Sequence, residues 1–159
     1  MREKGKCEST QVFFLHVLLG VFVGFIGFMM DFVEMMLVWI KDNNTQKLIE
    51  KDNVTVSWLF YTFFSVLLVL LATIMTIYWG TGSPGSGVAE VIGYINGVNY
   101  PLTINFRTLV TKIVGVVFAV AGGLAVGKEG PLAHIGANVG AAIVSLPSFE
   151  FCQNDYKKR

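Results

Sequence analysis

Charged side chains are scarce in this sequence, since Asp, Glu, Lys and Arg make up 14% of its 159 residues. A water-soluble domain of average composition carries about 25%, so the shortage indicates a chain that contacts lipid. The net charge is +1, so nothing in the composition indicates the basic face that nucleic-acid binding requires. Cysteine is also rare: Cys7 and Cys152, near opposite ends, argue against a disulfide scaffold or a metal site.

Two long apolar runs, residues 12–40 and 54–79, occupy much of the first half of the sequence. Each exceeds the roughly 20 residues that a helix needs to cross a bilayer. The first run is longer than the roughly 7–15 apolar residues of a cleaved signal peptide, so we interpret it as a retained signal anchor. The second has no charged residue, and Trp58 and Trp79 near its ends are typical of an interfacial aromatic belt. With a polar loop at 41–53, the runs predict a transmembrane hairpin.

Small and acidic residues interrupt the first run. Gly20 and Gly24 form a small-xxx-small pair, which predicts close packing against another helix. Asp31 and Glu34 are three positions apart, so they lie on one helix face. We interpret these two carboxylates as marking the point where the helix leaves the hydrocarbon.

Two glycine-rich segments divide the second half. Residues 80–87 read GTGSPGSG and residues 127–131 read GKEGP. Irregular backbone at membrane depth persists only where protein or water covers it, and such breaks mark binding sites in transporters. The predicted fold class is therefore all-α, a multi-pass membrane protein with discontinuous helices. Its predicted parts are a cytosolic tail at 1–11, spans at 12–40, 54–79, 108–126 and 131–146, a short helix at 86–98, and a polar tail at 147–159.

Two segments fit nucleotide-binding patterns. Residues 80–85 fit GxGxxG, but that fingerprint requires a preceding strand and an acidic residue about 20 positions later. A long apolar run precedes it here, and no acid lies near Asn105. Residues 122–128 fit GxxxxGK, after which a phosphate-binding loop has Ser or Thr. Glu129 stands there instead, and its carboxylate would repel phosphate. We therefore predict neither a nucleotide cofactor nor an enzyme.

Gly85, Ser86 and Gly87 begin the short helix after the first break. Free backbone N–H groups and the Ser86 hydroxyl converge at such a start, and the helix dipole adds about half a positive charge. A helix start of this kind binds anions without a cationic side chain. This suits a transported ion, because an ion that binds too strongly does not leave. The pattern predicts an anion site at these three residues.

The second break repeats this arrangement. Gly127 and Gly130 allow close backbone approach, and Pro131 suits the first position of a helix. An ionised carboxylate at a positive helix start can occupy an anion site, and it can leave when protonated or displaced. Glu129 is thus either such a gate or a simple helix cap or partner of Lys128. The residues alone favour neither interpretation.

Other polar and small residues of the second half have structural interpretations. His134, one turn into the last helix, is predicted to be a packed, hydrogen-bonded histidine instead of a proton relay. Gly136 and Gly140 are predicted to be helix-packing contacts. Arg107 and Lys112 are expected at the membrane interface, with their aliphatic stems along apolar surface.

The two breaks resemble elements of the CLC chloride channel and transporter family. Residues 85–90, GSGVAE, resemble its GSGIPE element, and residues 127–131 match its GKEGP element in full. The stretch between them looks most similar to the endosomal, lysosomal and plant-vacuolar branch. An endosomal, lysosomal or vacuolar membrane is therefore the expected location.

The resemblance implies a homodimer in which each subunit has its own pathway for chloride, with no cofactor. It implies that Ser86 coordinates the central chloride through its hydroxyl, between Gly85 and Gly87. It also implies that Glu129 is the external gating glutamate, which carries protons in the exchangers of the family. The implied second anion loop consists of Gly127, Lys128, Gly130 and Pro131.

Two departures from the family pattern affect these expectations. Val88-Ala89 replaces Ile-Pro, and loss of the proline removes a preset conformation, so we expect altered anion affinity. The family's pathway also uses elements of its C-terminal half, so we expect a truncated CLC-type domain. The function implied is chloride transport as a channel or a chloride/proton antiporter. The alternative is a truncated, non-conducting subunit that associates with full-length relatives and modulates them.

Overall fold

The computed structural model describes residues 9–98, 100 and 102–145. Most of the predicted tail at 1–11, the predicted tail at 147–159, and Cys7 and Cys152 therefore lie outside the described residues. The described part is all-α and contains no strand, as the apolar runs predict. Its helices are α1 (Ser9–Ile49), α2 (Val54–Tyr78), α3 (Val88–Ile95), α4 (Phe106–Ala121) and α5 (Glu129–Val144).

Helix α1 extends well beyond the first apolar run, so the prediction of a polar loop at 41–53 is wrong for its first nine residues. Lys41 explains the extension. Its side chain is buried, its ammonium donates to the Ala121 carbonyl at 3.0 Å, and it lies 4.5 Å from the centre of the Tyr61 ring. These partners on α4 and α2 stabilise helix where composition alone predicts a loop. Thr45 adds a hydrogen bond from its hydroxyl to the Lys41 carbonyl at 2.7 Å.

Within the part of the chain that the structure describes, two helices, α1 and α2, are long and apolar enough to cross a membrane. Their outer faces expose large apolar side chains, among them Phe28 and Phe63, which are 63% and 69% exposed. In a chain of this composition such faces are suited to lipid. The fold class is therefore that of an all-α, multi-pass membrane protein.

The buried core lies between α1, α4 and α5. Its members are Met30, Val117, Ile135, Val139 and Ile143.

Glycines of α5 bring α1 close to this core. Gly136 and Gly140 lie against Val23 and Leu19 of α1, which confirms them as packing contacts. The predicted packing pair on α1 behaves differently. A methyl group added at Gly20 or Gly24 would meet no atom within 4 Å in the described part of the chain.

The second half contains shorter helices with irregular connections. Helix α3 has 8 residues, and α4 and α5 have 16 each, fewer than the roughly 20 that span a bilayer. Helix α3 is shorter than the predicted 86–98. Helix α4 begins earlier than the predicted 108–126. It also ends earlier, because Gly123, at φ 94°, adopts a backbone conformation that a helix does not. Helix α5 begins at Glu129, two residues before the predicted 131.

Candidate functional site

The loop before α3 is shaped by two glycines on either side of Ser86. Gly85 and Gly87 have φ values of 71° and 78°, a left-handed conformation that costs other residues roughly 1–2 kcal/mol. Gly87 is the N-cap of α3. The Ser86 hydroxyl accepts a long hydrogen bond, 3.4 Å, from the Val88 N–H. The helix thus begins at Val88 without the proline of the family pattern.

The side chain of Lys112, on α4, binds this loop. Its ammonium donates to the carbonyl oxygens of Ser83 at 2.6 Å and Gly85 at 2.7 Å, and the residue is 4% exposed. The charge of Lys112 therefore does not extend to solvent, as the side chain of a lysine at the membrane interface would. Burial removes water from the ammonium, and the two loop carbonyls take the place of that water as hydrogen-bond acceptors. Sequence reasoning missed this role because the partners are more than 25 positions away.

The second break packs directly on the first. A methyl group added at Gly130 would lie 2.7 Å from the Ser86 Cβ, so only a glycine leaves room for this contact. Pro131 is buried and is the third residue of α5, not the first as predicted. It remains within the first turn, where a backbone N–H has no partner inside the helix. The first intrahelical bond there runs from the Leu132 N–H to the Lys128 carbonyl at 2.9 Å.

A cavity of about 500 Å³ lies where the two breaks meet. Gly85 and Ser86 line it from the first break, and Gly127 and Pro131 from the second. Ser83 and Pro84 of the first break also line it. Its remaining wall comes from α2, α4 and the segment after α4: Val69, Ala72, Thr73, Thr76, Ile77, Thr111, Lys112, Gly115, Val116, Ala119, Leu124 and Val126. The structure therefore brings together residues of both predicted anion loops around one space.

His134 of α5 packs against the first break and binds the loop before α4. It is 1% exposed, and its Nε2 donates to the Thr103 carbonyl at 2.9 Å. Its Nδ1 has no hydrogen-bond partner in the described part of the chain and lies against Gly87, where a side chain would collide with the imidazole. Asn138 donates to the same Thr103 carbonyl at 3.2 Å. The prediction of a packed, hydrogen-bonded histidine is confirmed.

Glu129 is the first residue of α5 and is exposed. Its carboxylate lies in the first helical turn, where the dipole favours negative charge. The alternative in which it pairs with Lys128 is wrong for the described residues. The Lys128 ammonium instead lies 2.9 Å from Asp31 Oδ1 and 2.6 Å from Glu34 Oε2 of α1. Asp31 and Glu34 therefore bind another part of the protein, a role that the sequence interpretation missed.

The fold and the site define a class: a membrane protein in which two glycine-rich breaks meet around a cavity. The sequence profile described as voltage gated chloride channel matches residues 68–159, more than half of the chain. The chain belongs to the voltage-gated chloride channel family.

Curated relatives support this assignment. The chain is 32% identical over 155 residues to human H(+)/Cl(−) exchange transporter 7, with 89% of this chain and 19% of that protein covered. It is 32% identical over 146 residues to chloride channel protein CLC-a of Arabidopsis thaliana, with 89% and 19% covered. It is 37% identical over 130 residues to chloride channel protein C of Dictyostelium discoideum, with 82% and 17% covered. The chain thus spans about a fifth of the length of these relatives.

Proposed function

We propose that this chain supplies part of a chloride pathway, with the anion held at the start of α3. The observation that carries the proposal is the contact between the breaks, where Ser86 and Gly130 meet beside a cavity of about 500 Å³. Backbone N–H groups at the start of α3 and the hydroxyl of Ser86 supply neutral donors for chloride. Neutral donors suit transport, since the ion must bind and then leave.

The charge of Lys112 is consistent with such moderate binding. Lys112 lines the cavity, but two of the three donors of its ammonium are used by the carbonyls of Ser83 and Gly85. A cation shared with carbonyl oxygens attracts an anion without holding it as a fully available ammonium would. Lys112 therefore contributes positive potential to the pathway and also fixes the loop.

We assign the gate to Glu129 and the second anion loop to Gly127, Lys128, Gly130 and Pro131. Exposure at the first turn of α5 leaves the Glu129 carboxylate free to change position. Gly127 and Pro131 line the cavity beside it. An ionised Glu129 competes with chloride for the positive start of α5. Protonation or displacement of its carboxylate opens the chloride pathway.

The assembly and location of the protein belong to the same proposal. One relative is named an H(+)/Cl(−) exchange transporter and others are named chloride channels, so either a channel or a proton-coupled exchanger fits. By the family resemblance we propose a homodimer in an endosomal, lysosomal or vacuolar membrane, without a cofactor or enzymatic activity. The alternative is a non-conducting subunit that modulates a longer relative.

Chloride efflux from liposomes tests the proposal. The chain is reconstituted alone and together with a longer relative of the family. We expect Glu129→Gln to give ungated flux, and Ser86→Pro to shift preference from chloride towards nitrate. Glu50→Gln, which removes an exposed carboxylate just after α1, is the matched control and should change neither. If the chain gives no flux alone but alters that of the relative, it is the modulating subunit. If it does neither, the proposed function is wrong.

A further inference from the structure

An ion cluster of three residues joins α1 to the start of α5. Lys128 is the cation, and Asp31 and Glu34 are the two carboxylates. Glu34 is the stronger partner, because its distance is 2.6 Å and its side chain is 17% exposed, against 2.9 Å and 64% for Asp31. Water screens an exposed pair far more than a partly covered one.

The cluster lies directly beside Glu129. Lys128 is the N-cap residue of α5, and Glu129 is the residue that follows it. The Lys128 ammonium is bound to the carboxylates of α1 and not to Glu129. The Glu129 carboxylate therefore has no cationic partner in the described part of the chain.

The net charge of the cluster affects the electrostatic potential at the start of α5. One ammonium and two carboxylates sum to one negative charge, so the cluster adds no positive charge to the start of α5. A free ammonium at this point would add to the positive helix end. It would attract both the Glu129 carboxylate and a passing anion, and slow the release of each.

We propose that Glu34, assisted by Asp31, is a positioning residue for the Glu129 gate. It holds Lys128 on α1, so the carboxylate at position 129 moves without a competing cation. The inference rests on the proposed role of Glu129, but the position of the Lys128 charge is measurable without transport.

The test measures local charge with a cysteine at the gate position. Glu129→Cys is made in a chain with Cys7→Ser and Cys152→Ser. Its rates of reaction with an anionic sulfonatoethyl and a cationic trimethylammonium-ethyl methanethiosulfonate are compared. Their ratio reports the electrostatic potential at the thiol. The ratio is then measured with and without Lys128→Met, in the Glu34 and the Glu34→Gln backgrounds.

A double-mutant cycle separates a held Lys128 from a simple sum of charges. With Glu34 present, Lys128→Met should lower the anionic-to-cationic ratio by less than about twofold, because the ammonium is held on α1. With Glu34→Gln, the same change should lower it at least about threefold, because the ammonium is now near the thiol. Glu34→Asp should behave as Glu34, and Asp42→Asn, an exposed carboxylate of the same helix, should have no effect. Equal effects of Lys128→Met in both backgrounds would overturn the proposal.

Flux measurements with Glu129 in place form the second arm. Glu34→Gln should weaken gating by Glu129, because the freed Lys128 ammonium attracts its carboxylate. Adding Lys128→Met should restore gating, because it removes that ammonium. Lack of restoration counts against the proposal. If Glu129→Gln leaves flux unchanged, the proposed gate is wrong, and the cysteine cycle still decides where Lys128 is held.

Discussion

The starts of α3 and α5 have similar glycine-rich sequences but are held in different ways. At α3, Lys112 binds two carbonyls of the loop and His134 packs against Gly87, so the backbone itself is fixed. At α5, Gly130 packs on Ser86, and the ionic contact runs through a side chain, from Lys128 to α1. A fixed backbone suits a binding site whose donors must stay in place. A side-chain tether leaves the neighbouring Glu129 able to move. The difference supports a division into ion site and gate.

The largest expected effect is that of Gly87→Ala. The new side chain would have to adopt a φ of 78° and would collide with His134. Strain of roughly 1–2 kcal/mol and overpacking of roughly 1–3 kcal/mol both oppose it. We expect a loss of about 3 kcal/mol in the free energy of unfolding, measured by thermal denaturation in detergent.

Gly85→Ala is the matched control, because Gly85 also has a positive φ, of 71°, but an added methyl group meets nothing within 4 Å. It should lose only the strain, roughly 1–2 kcal/mol. Equal losses at the two positions would show that contact with His134 does not fix the start of α3.

Lys112→Met is expected to have the next largest effect. It leaves the carbonyls of Ser83 and Gly85 without their donor. The Ser83 bond is buried and the Gly85 bond only partly so, and one unsatisfied buried group costs roughly 1–3 kcal/mol. We expect a loss of about 2 kcal/mol, together with faster proteolysis within residues 80–87. Lys128→Met, in the side-chain tether, should lose less than about 1 kcal/mol, because that pair is partly exposed. If Lys128→Met is the more damaging variant, the contrast between the two helix starts is reversed.

The sequence predicts part of this contrast. The all-α class, both breaks and the residues Ser86 and Glu129 follow from composition and glycine placement, with the role of Glu129 as a gate depending on the family resemblance. The partners of Lys41, Lys112 and Lys128 do not follow. Each lies in another segment, 97 positions away for Lys128 and Asp31, and a local pattern carries no information on such distances. A lysine near apolar sequence therefore suggests an interface when its true partners are carbonyls or carboxylates of another helix.

An effect smaller than that of Lys112→Met is expected for Gly130→Ala, at the contact between the two breaks. Alanine raises helix propensity by roughly 0.5–1 kcal/mol, but its Cβ would lie 2.7 Å from the Ser86 Cβ, and overpacking of this kind costs roughly 1–3 kcal/mol. We therefore expect a net loss of about 1 kcal/mol, and a change in anion preference because Ser86 must shift. In Gly20→Ala, on α1, the added methyl group meets nothing within 4 Å, so this control should neither lower the free energy of unfolding nor change anion preference. If Gly130→Ala stabilises the protein without altering anion preference, the starts of α3 and α5 are independent. The division into ion site and gate then loses the contact through which one helix start influences the other.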